Sequence, residues 1–240
     1  MWVNPQLDWD KRAGRPICSI TPSSASPFHA GLAPCIFRLA CSRASPLTFA
    51  VLLFRKKYPD DWLPKVKANL PAVLVDHAHL ERKAATSALN LEKYRLLFHQ
   101  VHQLNAIAIE ELQHFELVLQ LLKRRNIPFS EPHPSPWITG LMRSIRRGIQ
   151  EQVIDHLICC SLIEGRSCEK FQLLSRELAD GDPELAAFYG GLVESEGNHY
   201  ATYLLMAREI DDAETDRRLD WYLDLDKELI QLPNPRAMLH

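Results

Sequence analysis

The chain has 240 residues, 46% of them apolar and 24% charged, with 28 Lys plus Arg against 30 Asp plus Glu for a formal charge of −2. Those values fit a folded globular protein and exclude pervasive disorder or a polycationic nucleic-acid tail, although not a local basic face. The longest apolar run, near Leu47–Phe54, falls far short of the roughly 20 residues of a membrane span. The nine glycines form no phosphate-cradling motif and the six cysteines no C-x-x-C pair, so the chain reads as a soluble protein of a reducing compartment.

The first 46 residues hold six of the 16 prolines, a serine-rich patch at Ser23–Ser26 and no sustained helical period. No acidic residue occurs between Asp10 and Asp60, a balance resembling a transit peptide, but the prolines interrupt the amphipathic helix such a peptide needs. Residues 1–59 are therefore expected to be a poorly ordered extension. From Asp60 the pattern becomes helical. One face runs through Leu70, Val73, Leu74, His77, Glu81, Ala84, Ala85 and Ala88, with a stop at Asn90. A second helix is predicted over 92–125, ended by Asn126-Ile127-Pro128, and the four prolines from Pro128 to Pro136 mark a long crossover. A third covers 150–179 and stops at Asp180-Gly181. Asp182 and Pro183 open a fourth, to about Ile210, and a shorter fifth spans 213–231. The expected fold is all-α: a four-helix bundle over 60–232 with one long crossover, an extra C-terminal helix, and a tail at 233–240.

One glutamate stands on the apolar stripe of each long helix: Glu81, Glu111, Glu164 and Glu196. A carboxylate there is costly unless it is paired, protonated or metal-bound. Glu111 and Glu196 each have a histidine three residues on, His114 and His199, so that carboxylate and imidazole project from one side of a helix. A lone E-x-x-H is weak evidence, since about 0.7 matches arise by chance at this composition. The order carries the weight. Glu81 precedes the first pair by 30 residues and Glu164 precedes the second by 32, giving Glu, ExxH, crossover, Glu, ExxH. Four carboxylates and two imidazoles in that order are the di-iron or di-manganese set of ferritin-like bundles. Four negative charges offset two divalent ions, and oxygen and imidazole donors suit iron or manganese. The bland alternative is four glutamates in salt bridges, for instance with Arg82 or Arg166. No catalytic residue beyond the ligands is assigned.

Other residues carry less. His77, one turn before Glu81, and His79 are candidates for a supporting or access role, with ordinary packing the default. Asp76 and Asp155 could orient a ligand histidine. Cys159, Cys160 and Cys168 read as small apolar fillers, and Tyr200 and Tyr203 as core. Lys123, Arg124, Arg125, Arg143, Arg146 and Arg147 border the crossover and are candidate phosphate contacts, although charge at a helix end is ordinarily solvated.

The segments Glu81-Arg82-Lys83-Ala84-Ala85, Glu110-Glu111-Leu112-Gln113-His114, Leu122-Lys123-Arg124-Arg125-Asn126-Ile127-Pro128, Ile163-Glu164-Gly165-Arg166-Ser167-Cys168-Glu169 and Ser195-Glu196-Gly197-Asn198-His199-Tyr200 resemble one family. It is the bacterial tRNA hydroxylases of 2-methylthio-N6-isopentenyl adenosine, ferritin-like di-iron monooxygenases. The resemblance covers about Trp62 to Arg208, with nothing matching before Asp60. It implies two iron ions held by the six residues above, O2 as co-substrate, and electrons from a reductase or ferredoxin. It also implies tRNA as partner, a cytoplasmic location without membrane contact, and hydroxylation of a terminal methyl of the prenyl group beside the anticodon. The rival expectations are a ferritin-like iron-storage or peroxide-detoxifying protein and a metal-free helical adaptor.

Overall fold

The computed structural model describes residues 53–240, together with a backbone pairing of β1 (Trp9–Asp10) with β2 (Arg15–Pro16). The pair is antiparallel, Trp9 opposite Pro16, and belongs to a separate unit covering residues 1–45. The expectation of a poorly ordered extension falls largely outside the described residues.

Within 46–240 the elements are α1 (Trp62–Ala68), α2 (Leu70–Leu91), a 3₁₀ segment (Arg95–Gln100), α3 (Val101–Arg124), α4 (Pro136–Arg143), α5 (Ile149–Glu177), α6 (Pro183–Ile210) and α7 (Asp212–Leu229). The four long helices α2, α3, α5 and α6 form the bundle, α2 packing chiefly on α3 and α5 on α6. Local chemistry sets the boundaries. The backbone N–H of Asn69 donates to Val66 O at 3.0 Å and closes α1, and Pro71, which has no N–H to give, sits in the first turn of α2. At the end of α3, Asn126 adopts φ 54°, while Ile127 N donates to Leu122 O at 2.9 Å and Asn126 N to Lys123 O at 3.2 Å. That paired closure satisfies two of the last carbonyls of the helix. Asp182 and Asp211 cap α6 and α7 by accepting from Leu185 N at 3.1 Å and Glu214 N at 2.9 Å.

Three features differ from the sequence expectation. The proline-rich crossover contains α4, whose Ser135 Oγ accepts from Ile138 N at 3.2 Å with Pro136 at the first helical position. Prolines that read as loop are here a helix start. Residues 53–59, assigned to the extension, lie against the bundle: Arg166 is stacked on the Phe54 ring at 3.8 Å and donates to Lys56 O at 2.8 Å. The expected tail turns back inward, so that Met238, Leu239 and His240 are buried. Its short, aperiodic sequence gives no sign of this; backbone hydrogen bonds to Asp76 and Trp62 hold it.

Apolar side chains form two clusters, one at each end of the bundle. One gathers Leu104, Ile107, Leu157, Ile158, Tyr203 and Tyr222; the other gathers Leu74, Val118, Leu121, Phe171, Leu174 and Tyr189. Each long helix contributes to both clusters and carries its glutamate in between, so the apolar periodicity that builds the core also places one carboxylate per helix at the same level. Gly165, next to Glu164, permits the approach of α6, since a Cβ there would meet the Tyr200 ring at 2.8 Å.

Candidate metal centre

The six predicted residues converge. Ligand atoms of Glu81, Glu111, His114 and Glu196 lie within 4.8 Å of one another, as do those of Glu111, Glu164, Glu196 and His199. The two groups share Glu111 and Glu196, the glutamates of the two E-x-x-H pairs, while Glu81 with His114 and Glu164 with His199 belong to one group each. All six are buried. His114 Nδ1 stands 3.6 Å from an oxygen of each of Glu81, Glu111 and Glu196, and His199 Nδ1 is 2.6 Å from Glu111 Oε1.

Both imidazoles turn Nδ1 inward and anchor Nε2 outward. His114 Nε2 is 3.3 Å from Ser195 Oγ, and His199 Nε2 is 3.0 Å from Glu110 Oε2. These outer partners were not singled out in the sequence, though each directly precedes a glutamate of an E-x-x-H pair. His77, fully buried, contacts Glu81 Oε1 through Nε2 and thereby supports that carboxylate. His79 faces elsewhere, 2.7 Å from Ser130 O. The outer roles considered for Asp76 and Asp155 are not what the fold uses. Asp76 accepts from Leu239 N at 2.8 Å, and Asp155 is clamped by Arg146 and Arg218, each at 2.8 Å.

The charge pattern is that of a site built around cations. Burial pushes Glu164 up to about 8, with Glu111 adding repulsion. Burial and three neighbouring carboxylates carry Glu196 well above the usual range, and burial with Glu81 raises Glu111. Glu81 is buried too, yet His77 and His114 hold it below the carboxylate range. Against the effect of burial, Glu111 and Glu81 lift His114 to about 10, and Glu111 lifts His199 to about 9. Crowded carboxylates favour a bound positive charge, whether proton or metal ion.

A metal fits the donors. Glu111 Oε2, Glu196 Oε1 and His114 Nδ1 are buried without a hydrogen-bond partner, an expensive arrangement for polar atoms unless another species binds them. The salt-bridge alternative is not what the structure holds. Arg166 pairs with Asp226 and Glu169, and Arg82 with His79. Cys159, Cys160 and Cys168 are buried thiols raised by burial, Cys159 to about 12, consistent with packing.

The six basic candidates divide into paired and unpaired residues. Arg124 pairs with Glu184 at 3.2 Å, and Arg125 with Asp182 and Glu184 at 2.7 and 2.9 Å, joining the end of α3 to the start of α6. Arg146 is engaged by Asp155 and Glu214. Lys123, Arg143 and Arg147 are exposed and, among the described residues, form no ion pair.

Fold and site together define a ferritin-like helical bundle with a buried carboxylate–imidazole cluster fitted to a metal centre. A solved structure described as "Protein 43 with aldehyde deformylating oxygenase activity from Synechococcus" matches it with a TM-score of 0.72 at 31% identity, covering 78% of this chain and 94% of that one. Two relatives, from Pseudomonas putida and Salmonella typhimurium, are both named tRNA 2-(methylsulfanyl)-N(6)-isopentenyladenosine(37) hydroxylase. The first is 36% identical over 184 residues, 76% of this chain and 88% of that protein. The second is 28% identical over 232 residues, 76% of this chain and 85% of that protein. The model of the family described as tRNA-(MS[2]IO[6]A)-hydroxylase (MiaE) matches residues 46–240, and the chain belongs to that family. The match begins before α1 and runs through residue 240, beyond the Trp62–Arg208 stretch that carries the motifs.

Proposed function

We propose that the protein hydroxylates the isopentenyl group of 2-methylthio-N6-isopentenyl adenosine beside the tRNA anticodon, with two iron ions held by Glu81, Glu111, His114, Glu164, Glu196 and His199. The observation that carries this reading is the pair of buried donor groups sharing Glu111 and Glu196 in a chain of this family. The net reaction converts a prenyl C–H and O2, with two electrons and two protons, into C–OH and water. When bound, the irons supply O2 activation and the oxidising power for the C–H bond. The electrons come from an external reductase or ferredoxin, and the reaction belongs in the cytoplasm, where tRNA is; no described helix is long and apolar enough to cross a membrane.

The chain's own residues do the rest. Glu111 and Glu196, common to both donor groups, would serve both ions, and Glu81 with His114 and Glu164 with His199 would each complete one group. Ser195 and Glu110 fix the histidine rings by holding Nε2, so that Nδ1 faces the centre. The two apolar clusters flank the donor layer and keep water from it along the helix axes. The test is tRNA from cells lacking the gene: the hydroxylated nucleoside should disappear and return with the wild-type gene. Unchanged hydroxylated nucleoside in the deletion strain contradicts the reading.

A further inference from the structure

We infer that Ile138 and Met142 of α4, with Ala84 of α2 and Ile163 of α5, form the apolar passage that admits the prenyl group to the carboxylates, Ala84 and Met142 setting its width. The identity of the guest rests on the hydroxylase reading; the passage itself rests on the lining of one cavity.

That cavity, of about 460 Å³, is bordered by α2, α4, α5 and α6, within the range of about 300–1,000 Å³ typical of small-molecule sites. Glu81, Glu164 and Glu196 line it, whereas Glu111, His114 and His199 do not. The donor layer therefore meets this space through its carboxylates, on the side away from the two imidazoles. Two other cavities, of about 280 and 550 Å³, touch none of the six residues.

Helical period brings the apolar lining to the carboxylates. Ala84 follows Glu81 by three residues on α2, and Ile163 directly precedes Glu164 on α5, while Ile138 and Met142 stand one turn apart on α4. All four apolar residues are half-buried, so their side chains offer surface that a guest can touch. Arg82, Lys83 and Thr86 border the same cavity and are exposed, which places them at its mouth. From mouth to floor the lining runs basic, apolar, acidic. A prenylated adenosine on RNA has the matching order, with phosphates outside and hydrocarbon innermost. The histidine side suits RNA poorly. Residues 101–122 and 183–207 contain no Lys or Arg, and Glu110, Glu116 and Glu194 are exposed there.

Helix α4 is a fixed roof. Trp137, 3% exposed, donates to Asp226 Oδ1 at 3.0 Å, and Leu141 is fully buried. Gly140 lies so close to α7 that a Cβ there would stand 2.6 Å from Leu229 Cδ1. Ile138 and Met142, each one residue beyond such an anchor, are thereby held at the cavity. The facing residue on α2 is small, and Ala84 leaves the gap that a larger side chain would fill.

Binding tests this without turnover. The protein, reconstituted with iron and kept free of O2, is titrated with two anticodon stem-loops. One carries 2-methylthio-N6-isopentenyl adenosine and the other 2-methylthioadenosine, which lacks only the prenyl group. Wild type should prefer the prenylated RNA. Ala84→Phe should abolish that preference by filling the passage. Met142→Ala should reduce it by about 10-fold through lost apolar contact, and Met142→Leu should keep it. Ala187→Phe, at an exposed position of α6 outside the cavity, should keep it as well. Metal content should stay unchanged in all four variants. A preference that survives both Ala84→Phe and Met142→Ala overturns the passage, as does a wild type with no preference at all. A preference that those two variants lose, in a protein that hydroxylates no tRNA, supports the passage and instead contradicts the catalytic reading.

Discussion

The six acidic and imidazole residues and the six basic residues marked in the sequence behave differently in the fold. The first set comes from four separate helices and meets in two overlapping groups. The second set divides, with Arg124, Arg125 and Arg146 engaged by acidic neighbours and Lys123, Arg143 and Arg147 forming no ion pair among the described residues. Solvent explains the contrast. A carboxylate on an apolar stripe has no water to satisfy it, so the core must supply a partner, and the position along the helix fixes where. A surface arginine is satisfied by water or by whichever carboxylate lies near, and a surface pair is worth at most about 1 kcal/mol, so its spacing in sequence carries little information.

Substitutions can break or sharpen this comparison. The largest effect is expected at a residue common to both donor groups: Glu111→Ala should lower metal retention and tRNA hydroxylation by more than about 100-fold, beyond the range set by outer partners. Metal analysis and nucleoside quantification measure it, and near-normal metal content would show that the groups are not one centre. Next comes the buried pair that ties α5 to α7. Arg166 Nε donates to Asp226 Oδ1 at 3.1 Å, and Trp137 Nε1 donates to the same oxygen at 3.0 Å. Asp226→Ala should cost about 3 kcal/mol of stability in denaturant unfolding, by taking from a buried guanidinium its only fully buried carboxylate and leaving it Glu169. Glu110→Gln, which weakens the hold on His199 from outside, should reduce metal affinity by about 10-fold.

A pH effect follows with a definite sign. Without metal, His114 and His199 keep protons until about pH 10 and 9, and Glu164 until about 8. Metal must displace those protons, so affinity should rise with pH across 6 to 8, and binding should release protons measurable by calorimetry in buffers of different ionisation enthalpy. Proton uptake on metal binding would contradict the assignment. The smallest effects belong to the basic set. Alanine at Lys123, Arg143 or Arg147 should each reduce the salt slope of tRNA binding by at most about 1, leaving metal content untouched. Lys83→Ala, at a residue bordering the donor-lined cavity, should exceed Lys123→Ala in the same assay.

The long helices and their glutamates were legible because a 3.6-residue period marks each buried face and an acidic residue on that face is conspicuous. Other parts were hidden for identifiable reasons. Helix α4 begins among prolines that also suit a loop, and only the Ser135 cap with Pro136 at the first helical position hints at it. Ser195 and Glu110 look like ordinary surface residues until the histidine rings are placed. Leu239 and His240 belong to a stretch too short for any period, and they are buried only because Asp76, Ser167 and Lys170, distant in sequence, reach them. The role of Asp155 was hidden for a related reason: the two arginines that occupy it come from the crossover and from α7.

Iron content of the purified protein after anaerobic reconstitution bears most directly on the shared centre. Two irons per chain in wild type, falling below one in Glu111→Ala, is the expected result. No bound metal, or many irons per chain as in a storage shell, would contradict it.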